Sequence, residues 1–379
     1  MDFVVTQENL TRAIRGAERC VGKNSTLPIL SHILLEAFSD GVRVSATNLE
    51  IGVVLEIPAR VDVEGSAAVP TKVLSSFVSQ LPSTNTITCS LEKNTLSLSS
   101  GNYTASVQCD TAQDFPIIPR PSSDVLFSVK KDVFSHSFSS VLHCCSHAGI
   151  RPELTGVNVV FLEDGVHIAA TDSFRLRENI ISWDSVVVTG DIFERFPSGS
   201  SFVIPAKTVS EVLHSLGDGT EDVSVCVEST QVFFVFGSVR IVSRLIDGKY
   251  PDYQQIIPSE FSTTITLSRD EFLRAVRIAS IFSGSENEKV RMVVGGENGG
   301  KIFVHAESSG QGKNSTELSG EFSGDTQDVV LSPRYLIDAL SSFSGESVYV
   351  LMNNSSSPVV LRDTLDQKLS TYLIMPIRG

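Results

Sequence analysis

The stretch DGVRVSATNLEIG, Asp40 to Gly52, returns as DGVHIAATDSFRL, Asp164 to Leu176, with Asp, Gly, Val, Ala and Thr each displaced by 124 residues. A segment repeated at a fixed offset marks a duplicated folding unit, and this limits the fold before any local propensity is weighed. The repeat is in fact threefold. FVVTQENLTRAIRGA from Phe3, FSVKKDVFSHSFSSV from Phe127 and ITLSRDEFLRAVRIA from Ile265 align without gaps at offsets of 124 and 262. In each, an alternating apolar strand passes into a helix with an acid in its first turn: Glu8, Asp132 and Asp270. A carboxylate there opposes the helix dipole, and Ser268 with Glu271 has capping-box spacing.

A second helix repeats as VPTKVLSSFVSQL from Val69, IPAKTVSEVLHSL from Ile204 and LSPRYLIDALSSF from Leu331, at offsets of 135 and 262. The step from 124 to 135 puts about eleven extra residues in the middle copy, around FERFPSGSS. Alternating strands follow each second helix, and proline- and serine-rich joints occur at PIIPRPSSD and IIPSEFSTT. The expectation is an α+β chain of three repeated domains, 1–121, 122–257 and 258–379, each with two helices packed on antiparallel sheet.

At 41% hydrophobic and 20% charged residues the composition is that of a soluble globular protein. MDFVVTQENLTRAI lacks the cationic and apolar regions of a signal peptide, and no apolar run approaches membrane-spanning length. The six cysteines include no CxxC and no regular framework, so they read as reduced thiols of a cytoplasmic protein. A net charge of −14 argues against an ordinary nucleic-acid binder, unless the cations are gathered on one surface.

The repeats gather them. On a helical wheel, Leu10, Ala13, Ile14, Ala17 and Val21 form one stripe, with Arg12, Arg15, Arg19 and Lys23 opposite. Arg274 and Arg277 take the places of Arg12 and Arg15 in the third copy; His136, His143 and His147 take those of Arg12, Arg19 and Lys23 in the middle one. Lys72, Lys207 and Arg334 coincide across all three second helices. A solvated helix face explains any one of these cations. A surface facing a polyanion explains the threefold coincidence. If the surface is a ring, size sets its membership: six helices about 10 Å wide leave a bore of only about 9 Å, whereas twelve leave about 28 Å, wide enough for a duplex. One chain is too small to encircle DNA, and two joined head to tail are sufficient.

The threefold unit, TLPIL at Thr26 to Leu30, ATDSFRL at Ala170 to Leu176, DGKYPDY at Asp247 to Tyr253 and the terminal MPIR at Met375 to Arg378 together resemble the bacterial DNA polymerase III beta subunit family of replicative sliding clamps. The resemblance spans the whole chain in order. It implies a homodimeric ring of six clamp domains, of which this chain forms half. Such a ring encloses double-stranded DNA without sequence specificity, is opened by an ATP-dependent loader, and tethers the replicative polymerase and other replication and repair proteins. It has no catalytic activity, cofactor, metal or membrane association.

The resemblance also implies a pocket for a short extended apolar peptide, built from Leu154, Thr171, Ser173, Phe174, Arg175, Leu176, Pro251, Ile256, Tyr335, Leu373, Ile374, Met375, Pro376, Ile377 and Arg378. Aliphatic and Met side chains give adaptable apolar area, and arginines would fix orientation. Because the first copy reads ATNLEIG, with no arginine, one pocket per chain is expected. Phe174 stands where the family usually has His, Ser332 where Asn is common, and Gln255 where Arg is frequent. Asn24 and Arg151 join the DNA-facing set, and Val107, Ile281 and Phe282 are candidates for the dimer contact, with plain core membership as their alternative.

Enzyme motifs are weak. GGENGGKI gives Gly295, Gly300 and Lys301 phosphate-loop spacing, but Ile302 replaces the required hydroxyl and a strand follows. A hairpin turn fits better. His143 and His147 share a helix face without further ligands or a base beside them, and no Ser/His/Asp constellation is recognisable. An enzyme with its site between domains, or a scaffold of the same fold that never meets DNA, remain as alternatives; neither needs the coincident cations.

Overall fold

The structure, a computed structural model, describes residues 1–22, 27–122, 125–147, 149–190, 192–284, 288–295, 301–365 and 369–377. Its helices are α1 (Gln7–Glu18), α2 (Thr71–Gln80), α3 (Lys131–Leu142), a short α4 (Ile192–Arg195), α5 (Ala206–Ser215), α6 (Arg269–Ile281) and α7 (Pro333–Ser342). The first residues of α1, α3 and α6 keep the sequence offsets of 124 and 262, and those of α2, α5 and α7 keep 135 and 262. Local signals set these starts. Thr6 Oγ1 accepts the Asn9 N–H at 3.3 Å, and Ser268 Oγ accepts that of Glu271.

The extra residues of the middle copy lie where expected. Strands Arg60–Val63 and Gly65–Pro70 are separated by Glu64 alone, whereas Val186–Val188 and Ser201–Pro205 are separated by residues 189–200, which include α4. GGENGGKI joins the antiparallel strands Val290–Val294 and Ile302–Ser308, and the Gly295 N–H donates to the Lys301 carbonyl at 3.0 Å, closing a hairpin. Gly300 lies outside the described residues.

Among the described residues four antiparallel sheets carry the helices, two of five and four strands and two of nine. The large ones arise because strands of successive repeats pair. Ile51–Ile57 runs antiparallel to Val239–Arg244, and Arg175–Ser182 to Ser370–Ile374. The described residues accordingly divide into two compact units that cut through the middle repeat. One comprises Met1–Phe134, Val186–Arg195 and Lys207–Leu245; the other comprises Ser135–Ser185, Phe196–Ala206 and Ile246–Gly379.

In the first unit, Leu10, Ala13, Ile14 and Ala17 of α1 are fully buried, as the wheel requires. Gly16 allows a close approach, since a Cβ there would lie 2.9 Å from Leu55 Cδ2. In the second unit, α6 buries Phe272, Ala275, Val276 and Ala279 and packs with α7. Among the described residues no helix is long and apolar enough to cross a membrane. All six cysteines are buried, and burial pushes the thiols of Cys20, Cys89, Cys144 and Cys145 up to about 12, so these four pack as inert apolar groups.

Candidate nucleic-acid and protein contact sites

The stripe that buries α1 leaves Arg12, Arg15 and Arg19 in solvent, and the same logic exposes Arg274 and Arg277 on α6. Lys72, Lys207 and Arg334 are all exposed at the second residue of their helices, and no ion pair holds any of them among the described residues. Arg19 differs. Its Nε donates to Glu211 at 2.7 Å and its Nη2 to Ser215 Oγ at 3.1 Å, which ties the end of α1 to α5. Part of its charge is therefore neutralised. Arg151 is exposed and paired with Glu153 at 3.0 Å. Lys23 and Asn24 lie outside the described residues.

The middle-copy histidines do not form one polar face. His136 and His147 are exposed, but α3 ends at Leu142 and His143 turns inward. Its ring stacks on Tyr372 at 5.6 Å. Burial, then the neighbouring Arg175, hold its pKa down to about 4, so it is neutral near pH 7. The place of Arg19 is thus taken by a packing residue.

The candidate peptide pocket lies in the second unit. ATD forms a tight ring of hydrogen bonds: Thr171 Oγ1 donates to the Arg175 carbonyl at 2.6 Å and accepts the Ser173 N–H at 3.1 Å, while Asp172 Oδ1 accepts the Phe174 and Arg175 N–H groups, each at 3.0 Å. Ser173 is thereby held at φ 79°, a conformation uncommon for any residue but glycine. The turn leaves Phe174 61% exposed and delivers Leu176 to an apolar cluster with Leu154, Tyr250, Tyr253, Leu373 and Met375. The Tyr250 hydroxyl accepts the Thr171 N–H at 3.0 Å, fixing the DGKYPDY segment beneath the turn. Ile256 is exposed beside Tyr253, with Pro251 half-buried. The Met375 N–H donates to the Phe174 carbonyl at 2.8 Å and the Ile377 N–H to that of Val330 at 2.8 Å, which seats Met375, Pro376 and Ile377 at the rim. Arg378 lies outside the described residues.

Two pocket expectations need correction. Arg175 is 3% exposed and cannot steer a peptide. Its guanidinium is consumed by Asp172, Asp338 and the His143 carbonyl, and it stacks over Tyr335 at 4.5 Å. Ile374 sits opposite Arg175 in the strand pairing, while Leu176 sits opposite Leu373. Side chains alternate along a strand, so Ile374 shares the face of Arg175, away from the apolar cluster. Some residues have no sequence signal: Asp338, which holds Arg175 behind the pocket, and the floor residues Leu351 and Val360. Their strands alternate like any other, and only the pairing brings them together. Tyr250 and Tyr253 lie within DGKYPDY, so that motif is the sequence signal for both.

At the candidate dimer contact, Val107 is buried in the core of its own sheet, so its side chain is not a contact group. Its strand, Tyr103–Gln108, is nevertheless a sheet edge. Ile281 is 65% exposed at the end of α6, and Phe282 is half-buried.

Comparison with known proteins agrees over the full length. Residues 1–119, 128–252 and 254–378 match the family models of the DNA polymerase III beta subunit N-terminal, central and C-terminal domains. The beta sliding clamp of Synechococcus elongatus is 27% identical, covering 100% of this chain and 99% of that protein; that of Staphylococcus aureus is 24% identical with the same coverage. The crystal structure of the DNA polymerase sliding clamp from Bacillus subtilis superposes with a TM-score of 0.92 at 25% identity, covering 100% of this chain and 99% of that one. The beta subunit of Streptococcus pyogenes DNA polymerase reaches a TM-score of 0.92 at 23% identity over 100% of both chains. Three clamp domains in the family's order place this chain in the DNA polymerase III beta subunit family, the bacterial beta sliding clamps.

Proposed function

We propose that two copies of this chain, each with domains 1–121, 122–257 and 258–379, join head to tail into a six-domain ring around duplex DNA. The ring is a non-catalytic cytoplasmic platform. It tethers the replicative polymerase, and other proteins bearing a short apolar peptide, through the pocket on the second unit. An ATP-dependent loader opens it.

One observation carries this reading. Ile51–Ile57, Arg175–Ser182 and Gly312–Leu318 occupy the same place in the three repeats, and so do Tyr103–Gln108, Val239–Arg244 and Ser370–Ile374. Members of the two sets pair antiparallel twice within the chain. The unused members, Gly312–Leu318 and Tyr103–Gln108, are each left at a sheet edge. A free edge invites pairing, and a second copy offers the missing partner to both. Repetition of such a heterologous contact closes after two chains when each turns by half a circle.

Lys72, Lys207 and Arg334, exposed and without an ion pair among the described residues, support a DNA-facing role, since contacts to phosphate bind without reading sequence. The deciding experiment loads the protein onto closed circular DNA and then linearises the circle. Retention before the cut and release after it are expected, with loading reduced in the K72E/K207E/R334E triple variant. Equal retention on both forms would sink the ring.

A further inference from the structure

We infer that the first unit carries a second docking cleft, which takes a short extended acidic and apolar segment of a partner protein; the inference rests on the peptide reading of the pocket on the second unit. The cleft is a cavity of about 190 Å³ lined by Leu49, Ile51, Ile117, Ile118, Val242 and Arg244, among others.

Its frame matches the other pocket bond for bond. Thr47 Oγ1 donates to the Ile51 carbonyl at 3.0 Å and accepts the Leu49 N–H at 3.0 Å, and Asn48 Oδ1 accepts the Glu50 and Ile51 N–H groups at 3.0 and 2.8 Å. These are the bonds made by Thr171 and Asp172, displaced by 124 residues. Leu49 is held at φ 75°, as Ser173 is at 79°. Gly52 faces Val242 across the strands just as Leu176 faces Leu373. Ile118 packs on the cluster of Cys226, Phe233 and Val242, and Ile257 packs on the cluster of the other pocket. The floor differs by one leucine. A Cβ on Gly52 would lie 2.9 Å from Ile118 Cγ2, so the chain's own isoleucine fills the space that Leu176 occupies in the second unit.

The absence of arginine from ATNLEIG does not abolish the cleft, because Arg175 is buried behind its own pocket and presents nothing to an occupant. What remains at the first site is apolar and open: Leu49 is 49% exposed and Ile117 94% exposed. The volume falls below the roughly 300 Å³ of small-molecule pockets, so it suits side chains of an extended peptide rather than a whole metabolite. Arg244 is exposed on the rim and its guanidinium has no hydrogen-bond or ion-pair partner among the described residues, which favours a carboxylate beside the seated side chain.

The test is methyl NMR on the full chain with Ile, Leu and Met methyls labelled, titrated with acetyl-Glu-Ala-Leu-Phe-amide. Saturable shifts of the Ile117 and Leu49 methyls are expected, alongside those of Leu373 and Met375 in the other pocket. The exposed change Arg244→Glu should weaken the first set about tenfold, as loss of a charged contact does, and leave the second set unmoved. Ile117→Ser should abolish the Leu49 shift. Shifts at Leu373 and Met375 alone, or at no methyl, overturn the second cleft. Shifts at Ile117 and Leu49 alone uphold it and refute the pocket on the second unit. Equal weakening of both sets by Arg244→Glu also overturns it, since the response would then be remote.

Discussion

The guanidinium of Arg175 lies 4.5 Å over the ring of Tyr335 and is bonded at the same time to Asp172, Asp338 and the carbonyl of His143. The strand Arg175–Ser182 is thereby bolted to α7 from behind the pocket. Arg175→Ala leaves two carboxylates without their counter-charge and should destabilise the second unit by about 3 kcal/mol. Asp338→Asn keeps a neutral acceptor at a partly exposed position and should cost about 1 kcal/mol. Trp183, the single tryptophan, lies in this unit, so its fluorescence in a urea titration reads the difference. The reverse order of the two costs would show that the cation is not the bolt.

Two histidines of the second unit tune its stability in opposite directions. His167 is buried between Glu178 at 2.9 Å and Asp164 at 2.8 Å, and Glu178 also accepts the Tyr253 hydroxyl at 2.7 Å. Both ring nitrogens face carboxylates, so the imidazolium is the form that satisfies them. Burial alone would lower its pKa; the bonds to Glu178 and Asp164 outweigh that and raise it. Its contribution is full below the unfolded value of about 6.5 and is lost as pH rises through the folded pKa. His143, held down to about 4, works the other way: its neutral burial costs nothing above about 6.5 and becomes a penalty as pH falls toward 4. Urea midpoints should therefore fall on both sides of about pH 6.5. His167→Gln should flatten the alkaline limb and His143→Gln the acid limb. Limbs unchanged by these substitutions would refute the assignment.

Local periodicity made much of this legible. The six repeat-related helices, the Ser268 cap of α6, the inserted segment before Ser201 and the exposure of Lys72, Lys207 and Arg334 all follow from patterns within about a dozen residues. What stayed hidden depends on pairing across long stretches of chain. Arg175 reads as a ligand-facing arginine until Ile374 is seen opposite it, and Asp338 gains a role only when α7 lies behind that strand. His143 looks like a member of a cationic face until α3 ends one residue earlier. Val107 was ambiguous for the same reason: its strand is an edge, yet its side chain points inward.

The last residues can be tested without disturbing the fold. Strand Ser370–Ile374 is complete before Met375, and the tail beyond is held through the Phe174 and Val330 carbonyls. Deleting Met375–Gly379 removes the rim but not the Leu176–Leu373 floor. Peptide affinity should drop at least about tenfold, since buried apolar anchors dominate such contacts, while the Trp183 urea transition stays cooperative and unfolding is lowered by about 2 kcal/mol at most, for the two lost backbone hydrogen bonds and the Met375 packing. Undiminished peptide binding would move the site elsewhere.

Ring closure makes a demand on backbone rather than side chains. If Tyr103–Gln108 of one copy pairs with Gly312–Leu318 of the next, the bonds are donated by N–H groups on the free edge of a strand whose inward side chain, Val107, is already buried. Successive N–H groups along a strand point to opposite edges, so of the neighbours Thr104 and Ala105 one donates inward to strand Thr95–Ser100 and the other outward. Proline lacks the donor and is tolerated only where the N–H faces solvent. One of Thr104→Pro and Ala105→Pro should therefore unfold the local sheet, and the other should leave it folded while breaking the dimer. Sedimentation then distinguishes a species near twice 41.0 kDa from one at 41.0 kDa. A folded variant that stays dimeric at micromolar concentration would mean that the copies do not join through this edge, and the head-to-tail ring would lose its seam.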